Sequence, residues 1–103
     1  MKPESGFYRA YFIMQGQRVT IVGRQAYKDV QLNPSERVYL SREPNNQDDS
    51  NAIAACKSNG DVFGHVRKTK ARIMAHHMQL DDILKGIVVS GSSSEWRCTI
   101  QLD

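Results

Sequence analysis

Apolar and polar positions alternate most cleanly at the end of the chain. There Trp96, Cys98, Ile100 and Leu102 fall on one face and Arg97, Thr99 and Gln101 on the other, the period of two expected of a half-buried strand. Runs rich in β-branched and aromatic residues predict further strands over Phe7–Met14, Arg18–Val22, Arg37–Arg42, Asn51–Lys57, Asp61–Val66 and Ile83–Ser90. Turn residues separate them: Gln15-Gly16-Gln17, then Gly23 and a loop through Tyr27 and Asn33-Pro34-Ser35, later Asp81-Asp82, and Gly91 with the serines after it. Ser58-Asn59-Gly60 lies between two apolar runs. An Asn-Gly pair in that setting predicts a β-hairpin with both central residues at positive φ.

The period changes between Lys68 and Met78. Ala71, Met74, Ala75 and Met78 are spaced i, i+3, i+4 and i+7, which predicts a helix with one buried face. Lys68, Arg72 and His76 recur at i, i+4 and i+8 and form a basic stripe on another side of it. Six or seven short strands and one helix predict a mainly β fold, with one or two helices. The architecture expected is a small, bent OB-like or SH3-like barrel of about six strands with the helix closing one end.

One segment does not follow either period. Ser41 to Ile53, SREPNNQDDSNAI, is a polar, turn-rich run with two adjacent carboxylates, Asp48 and Asp49, between two predicted strands. Two readings of it stand. Asp49, with Asn45, Asn46 and Asn51, can hold a long loop by accepting backbone N–H bonds. Alternatively, the loop is half of a binding site. Its spacing lacks the D-x-[DN]-x-[DN]-G pattern of a calcium loop, so no metal is expected.

Composition narrows the setting. A chain of 103 residues predicts one domain spanning 1–103, with a single modest core. The formal net charge is +3, a mild excess that permits an anionic partner without requiring one. Cys56 and Cys98 lie far apart, each within a predicted strand, and match no disulfide framework or paired metal motif; free thiols in a reducing compartment are expected. The segment MKPESGFYRAYFIM has no long apolar stretch of the secretory type, and no run approaches a membrane span. An intracellular location is therefore expected, nuclear in a eukaryote and cytoplasmic otherwise, with no membrane partner.

The candidate chemistry is recognition, not catalysis. No nucleophile–base pair, phosphate loop, HExxH run or paired-carboxylate pattern occurs, and no cofactor is expected. Arg67, Lys68, Lys70 and Arg72 form the densest charge cluster, at a strand–helix junction where free backbone N–H groups would also favour an anion. Arg24, Lys28 and Arg42 could extend that patch from neighbouring loops. Trp96 has two readings, packing inward at the start of its strand or serving as a platform for a base. Tyr27 and Phe63 are the other rings that exposure would make useful. His65, within a strand, reads as a packed, hydrogen-bonded histidine, and His76 and His77 project too far apart on a helix to share one metal.

Three motifs give this pattern a family likeness. LSREPNNQDDSNAI, followed by NGDVFGHVRK and preceded by the Val-x-Ile-Val-Gly-x-x-x-Tyr run from Val19 to Tyr27, resembles the HIRAN domain signature, in the right order and over most of the chain. The resemblance implies a modified OB-like barrel. It also implies a module of larger helicase-like remodelling ATPases and ubiquitin ligases, or a stand-alone protein. In the best-understood members it implies binding of single-stranded DNA at a free 3′-hydroxyl end in DNA repair and replication-fork remodelling. On that likeness Asp49 would accept the sugar hydroxyl, Lys68 would meet a phosphate, and Tyr27 and Trp96 would stack on bases. Arg24, Arg42, Arg67 and Arg72 would supply further charge. Ala26 and Asp48 stand where the end-binding version carries aromatic rings, and each missing ring removes about 1–3 kcal/mol of stacking per base. Two functions are therefore expected: a non-catalytic nucleic-acid-binding module for single-stranded DNA or 3′ ends, and, as the alternative, a protein-interaction module that has lost the end site.

Overall fold

A computed structural model describes residues 13–103 of the chain. Six strands, β1 (Arg18–Val22), β2 (Arg37–Arg42), β3 (Ile53–Lys57), β4 (Val62–Val66), β5 (Ile83–Ser90) and β6 (Cys98–Leu102), form one antiparallel sheet. Neighbours are hydrogen-bonded in the order β1-β4-β3-β2-β5-β6, and β6 pairs back onto β1 to close a barrel. Closure leaves no strand with an unpaired edge, which suits strands this short. The mainly β, OB-like barrel read from the sequence is the fold found.

The period-two residues fill the barrel. Val19 and Ile21, Val38 and Leu40, Ile53 and Ala55, Leu84 and Val88, and Ile100 and Leu102 are all buried. Phe63 joins them at 0% exposure, so it is a core residue and not a surface ring. Register shifts between Ala55 and Cys56 and between Val88 and Ser90 interrupt two ladders and help the sheet bend.

The helix α1 (Lys68–His77) buries Ala71, Met74 and Ala75, with Met78 beneath its end, as its spacing predicts. Burying each methionine is worth about 1.5–3 kcal/mol, and Met74 and Met78 belong to the barrel core, so α1 seals one end of it. Its start is fixed where the Arg67 N–H bonds Thr20 O at 3.1 Å. It stops at Met78, whose backbone turns extended. The Asp81-Asp82 turn comes next, closed by the Gln79 N–H on Asp82 Oδ2 at 2.7 Å.

Three local expectations are corrected. Phe7–Phe12 of the first predicted strand lie outside the described residues, and Ile13 and Met14, its last two, are helical. The loop predicted after Gly23 opens with a 3₁₀ helix, Arg24–Tyr27. The Asn59-Gly60 hairpin forms, but only Gly60 takes positive φ (93°). Its N–H bonds Lys57 O at 2.9 Å, so Ser58 and Asn59 make an ordinary turn and glycine alone absorbs the left-handed step.

One close approach sets the junction between β1 and the 3₁₀ helix. A Cβ on Gly64 would lie 2.6 Å from Ile21 Cγ2 and 2.8 Å from Val22 O. Only glycine lets the end of β1 lie this close to β4, with Val22 opposite His65, and the 3₁₀ helix leads directly from the end of β1.

Candidate nucleic-acid interface

The polar run between β2 and β3 is a folded loop that satisfies its own backbone. Glu43 and Ala52 close its base, the Glu43 N–H donating to Ala52 O at 2.9 Å. Inside it, Asn46 Oδ1 accepts the N–H groups of Asp48 and Asp49 at 2.9 and 3.1 Å. Asp49 Oδ1 in turn accepts the Asn51 N–H at 2.9 Å. Side chains that mimic turns in this way are why the segment is rich in Asn and Asp. The scaffold reading of Asp49 is thus realised; its second carboxylate oxygen has no hydrogen bond among the described residues.

A chain of contacts carries this loop to the 3₁₀ helix. Asn46 Nδ2 donates to Glu43 Oε1 at 3.2 Å, and the same oxygen lies 2.7 Å from His65 Nε2. The His65 ring packs on Tyr27, with centroids 5.9 Å apart and planes tilted by 38°. Burial, with the Glu43 carboxylate and Cys56 nearby, holds the Tyr27 hydroxyl above its ordinary range, so it stays a neutral donor. Tyr27 and Asp49, named from the sequence, are therefore joined through Glu43, His65 and Asn46. The sequence pattern gives Glu43 no role and marks His65 only as a packed residue. A signal for both was present: His65 lies between buried Gly64 and buried Val66 on β4, and Glu43 directly succeeds β2, so both side chains are left part-exposed outside the barrel.

The basic residues divide into two groups. Arg67, Lys68 and Arg72 are exposed, and none makes an ion pair among the described residues. Arg67 is two positions beyond His65, at an α1 N-terminus that has no acidic residue in its first turn and no side-chain cap. This end therefore presents free N–H groups and the positive end of the helix dipole along with the cations. Lys70 is committed elsewhere, donating to Gln17 Oε1 at 2.8 Å.

Arg24 and Arg42 correct the expectation of a rim of open cations. Arg24 is only 6% exposed; its Nη1 donates to Phe63 O at 3.2 Å and its guanidinium lies over the Phe63 ring. It points inward because the 3₁₀ helix packs on β4. Arg42 is half-buried, and its Nη1 donates to Met78 O at 3.3 Å, tying β2 to the end of α1. Trp96 moves the other way. The period-two pattern runs through it, but β6 starts at Cys98 and Trp96 is 64% exposed. Ser94 Oγ accepts the N–H groups of Trp96 and Arg97 at 3.1 and 3.3 Å, which holds the backbone in a turn and aims the indole outward.

Cys56 and Cys98 are both free, Cys98 buried and Cys56 half-buried. Among the described residues no group of three His, Cys, Asp or Glu side chains is placed to hold a metal, and no helix is long and apolar enough to cross a membrane.

A closed six-stranded antiparallel barrel, capped by one helix and bearing this loop-to-tyrosine network, defines a small OB-like recognition domain. The HIRAN domain family profile matches residues 14–103, and the chain belongs to that family. It is 39% identical over 83 residues to the helicase-like transcription factor of Mus musculus and 34% identical over 84 residues to that of Homo sapiens. These matches cover 79% and 80% of this chain but only 8% of each relative. Among solved structures, the crystal structure of the HIRAN domain of human HLTF superposes with a TM-score of 0.73 at 29% identity, covering 86% of this chain and 74% of the other. The HLTF HIRAN domain in its DNA-bound conformation gives a TM-score of 0.66 at 29% identity, covering 85% and 72%. A protein from Lactobacillus plantarum at 22% identity shares the fold, with a TM-score of 0.62.

Proposed function

We propose that this chain is a non-catalytic nucleic-acid-binding module, directed to single-stranded DNA or to DNA 3′ ends. The observation that carries this reading is the run of contacts from Tyr27 through His65, Glu43 and Asn46 to Asp49, which gathers residues from all three family motifs onto one surface. Arg67 and Lys68 continue that surface with unpaired charge at the α1 N-terminus. The relationship to the HLTF HIRAN domain, solved in a DNA-bound conformation, supports DNA as the ligand.

In this mechanism Arg67, Lys68 and Arg72 neutralise phosphates. Tyr27 and Trp96 offer ring faces to bases, and Asp49 turns its second carboxylate oxygen to the terminal sugar hydroxyl. His65, held by Glu43, fixes the Tyr27 ring. The barrel contributes a rigid frame, so little order has to be gained on binding. By the same relationship the host polypeptide would carry helicase or ligase domains and act on DNA in the nucleus of a eukaryote or the cytoplasm of a bacterium.

The test uses the protein's one tryptophan as reporter. Titration at low salt is expected to quench Trp96 fluorescence more with single-stranded than with duplex DNA, with affinity falling steeply as salt rises. Oligonucleotides ending in 3′-hydroxyl should bind better than those ending in 3′-phosphate. Asp49→Ala should erase that difference, at a stability cost of about 0.5–1.5 kcal/mol for the lost turn bond. Equal binding of duplex and single strand, or none, would refute the reading.

A second reading has its own observation. Ala26 and Asp48 are both exposed, so a methyl group and a carboxylate stand where the family's end-binding version presents rings. That surface suits a protein partner. Salt-insensitive capture of one specific protein, uncompeted by DNA, would decide for it.

A further inference from the structure

Beside Tyr27, on the side of the β5–β6 loop, lies a polar pocket of about 280 Å³ whose lining includes Arg24, Tyr27, Lys28, Ser92, Ser94 and Glu95. Arg24 is the unusual member. The residue is more than nine-tenths buried, and among the described residues it has no carboxylate partner. It donates to two backbone carbonyls, Phe63 O at 3.2 Å and Ser92 O at a long 3.4 Å, and its Nε is buried with no acceptor among the described residues. A buried charge is tolerated when it is paired, and a cation compensated only by carbonyl dipoles and the face of the Phe63 ring has no full counter-charge. Two neighbours have the same sign of need. Lys28 is exposed and makes no ion pair among the described residues. Ser94 Oγ already accepts two N–H groups, which leaves its hydroxyl proton to be donated.

We propose that this pocket is a phosphate-binding site, and that its natural occupant is a phosphodiester of the bound strand lying between a base on Tyr27 and a base on Trp96. The anion is called for by the unpaired guanidinium, the lysine and the serine hydroxyls. The identity as a phosphodiester rests on the nucleic-acid reading and on position. Tyr27 lines the pocket, and the Trp96 carbonyl is bonded to the Arg24 N–H at 3.3 Å. The pocket is thus lined by Tyr27 and by the Ser92–Glu95 segment that runs directly into Trp96, so a phosphate linking bases on the two rings is the one within its reach. Glu95, exposed on the lining, is the one group that opposes an anion, so Glu95→Gln should tighten binding.

The experiment has two arms. In the first, inorganic phosphate is titrated against the labelled protein at constant ionic strength. Amide resonances of Ser92–Ser94 and the Arg24 Nε–H are expected to shift, and Lys28→Ala, which changes an exposed side chain, to weaken the effect. If these resonances stay still while those of Arg67 and Lys68 move, the pocket is no phosphate site and the proposal falls, whatever DNA does. In the second, a short oligothymidylate replaces phosphate. The same resonances should shift, and Lys28→Ala should lower the slope of log affinity against log salt by roughly 0.7, the value of one single-strand phosphate contact. If phosphate shifts the pocket but the oligonucleotide binds without touching it, the phosphodiester assignment is overturned. If the oligonucleotide binds nowhere, the nucleic-acid reading fails as well, while the anion site itself stands.

Discussion

Trp96 is presented to solvent because one serine takes the backbone out of the strand. Ser94 Oγ collects two N–H groups that would otherwise have extended β6, and an indole that the alternation would have buried is left 64% exposed. A ring that contributes little to packing can be removed cheaply. Trp96→Ala should therefore change unfolding free energy by less than about 0.5 kcal/mol. It should weaken single-strand binding by about 1–3 kcal/mol, the usual value of a stacked base. Urea unfolding and fluorescence anisotropy with a labelled strand check the two halves. A stability loss larger than the binding loss would return Trp96 to the core. Asp49 shows the opposite case, a side chain whose turn bond to Asn51 makes it structural and whose other oxygen is still available.

At the scale of elements, the close pairing of β1 with β4 and the start of α1 decide where the site is. Gly64 permits that close approach, and Gly64→Ala would press a methyl group against Ile21 and the Val22 carbonyl. The expected cost is about 1–3 kcal/mol, seen as a lower thermal midpoint, with the Tyr27–His65 contact loosened in step. The helix contributes charge more than shape on its outer side. Alanine at Arg67, Lys68 or Arg72 should leave stability nearly unchanged, and each should reduce the salt slope of strand binding by roughly 0.7. Salt slopes equal to that of the unmodified protein would show that the helix face is only solvated. Alanine at Arg24 or Arg42 would cost stability as well, because each ties one element to another: the 3₁₀ helix to β4, and β2 to the end of α1.

For the molecule as a whole, closure of the sheet buries groups that prefer to keep their protons. Burial raises the Cys98 thiol above its ordinary 9.0, against the pull of Arg24. Burial, then Glu43, does the same for Cys56, and burial, then Glu43, lifts Tyr27 above 10.0. Below pH 9.0 the folded and unfolded chains both hold the thiol protons, and this stability is fully present. Above it the unfolded chain releases them first while the folded chain retains them, so stability is lost as pH rises through the folded values. Urea midpoints in reducing buffer should therefore fall between about pH 8 and about pH 10, and Cys98→Ala should flatten the decline. A midpoint that rose across that range would show the thiols to be ionised in the folded barrel.

The sequence alone determined the strands, the buried face of the helix and the family. These depend on local period and turn chemistry: β2, β5 and the Ala71–Met74–Ala75 face come from spacing that each segment carries within itself. It also carried the motif positions of Tyr27, Asp49 and Lys68. What it could not hold was any property created by elements far apart in the chain. The inward turn of Arg24 depends on Phe63 and Ser92, 39 and 68 positions away, and the Glu43–His65 pair spans 22. Only closing the barrel brings those partners together, so only the tertiary structure separates the cations left open in solvent from those, like Arg24, that the fold also holds in place.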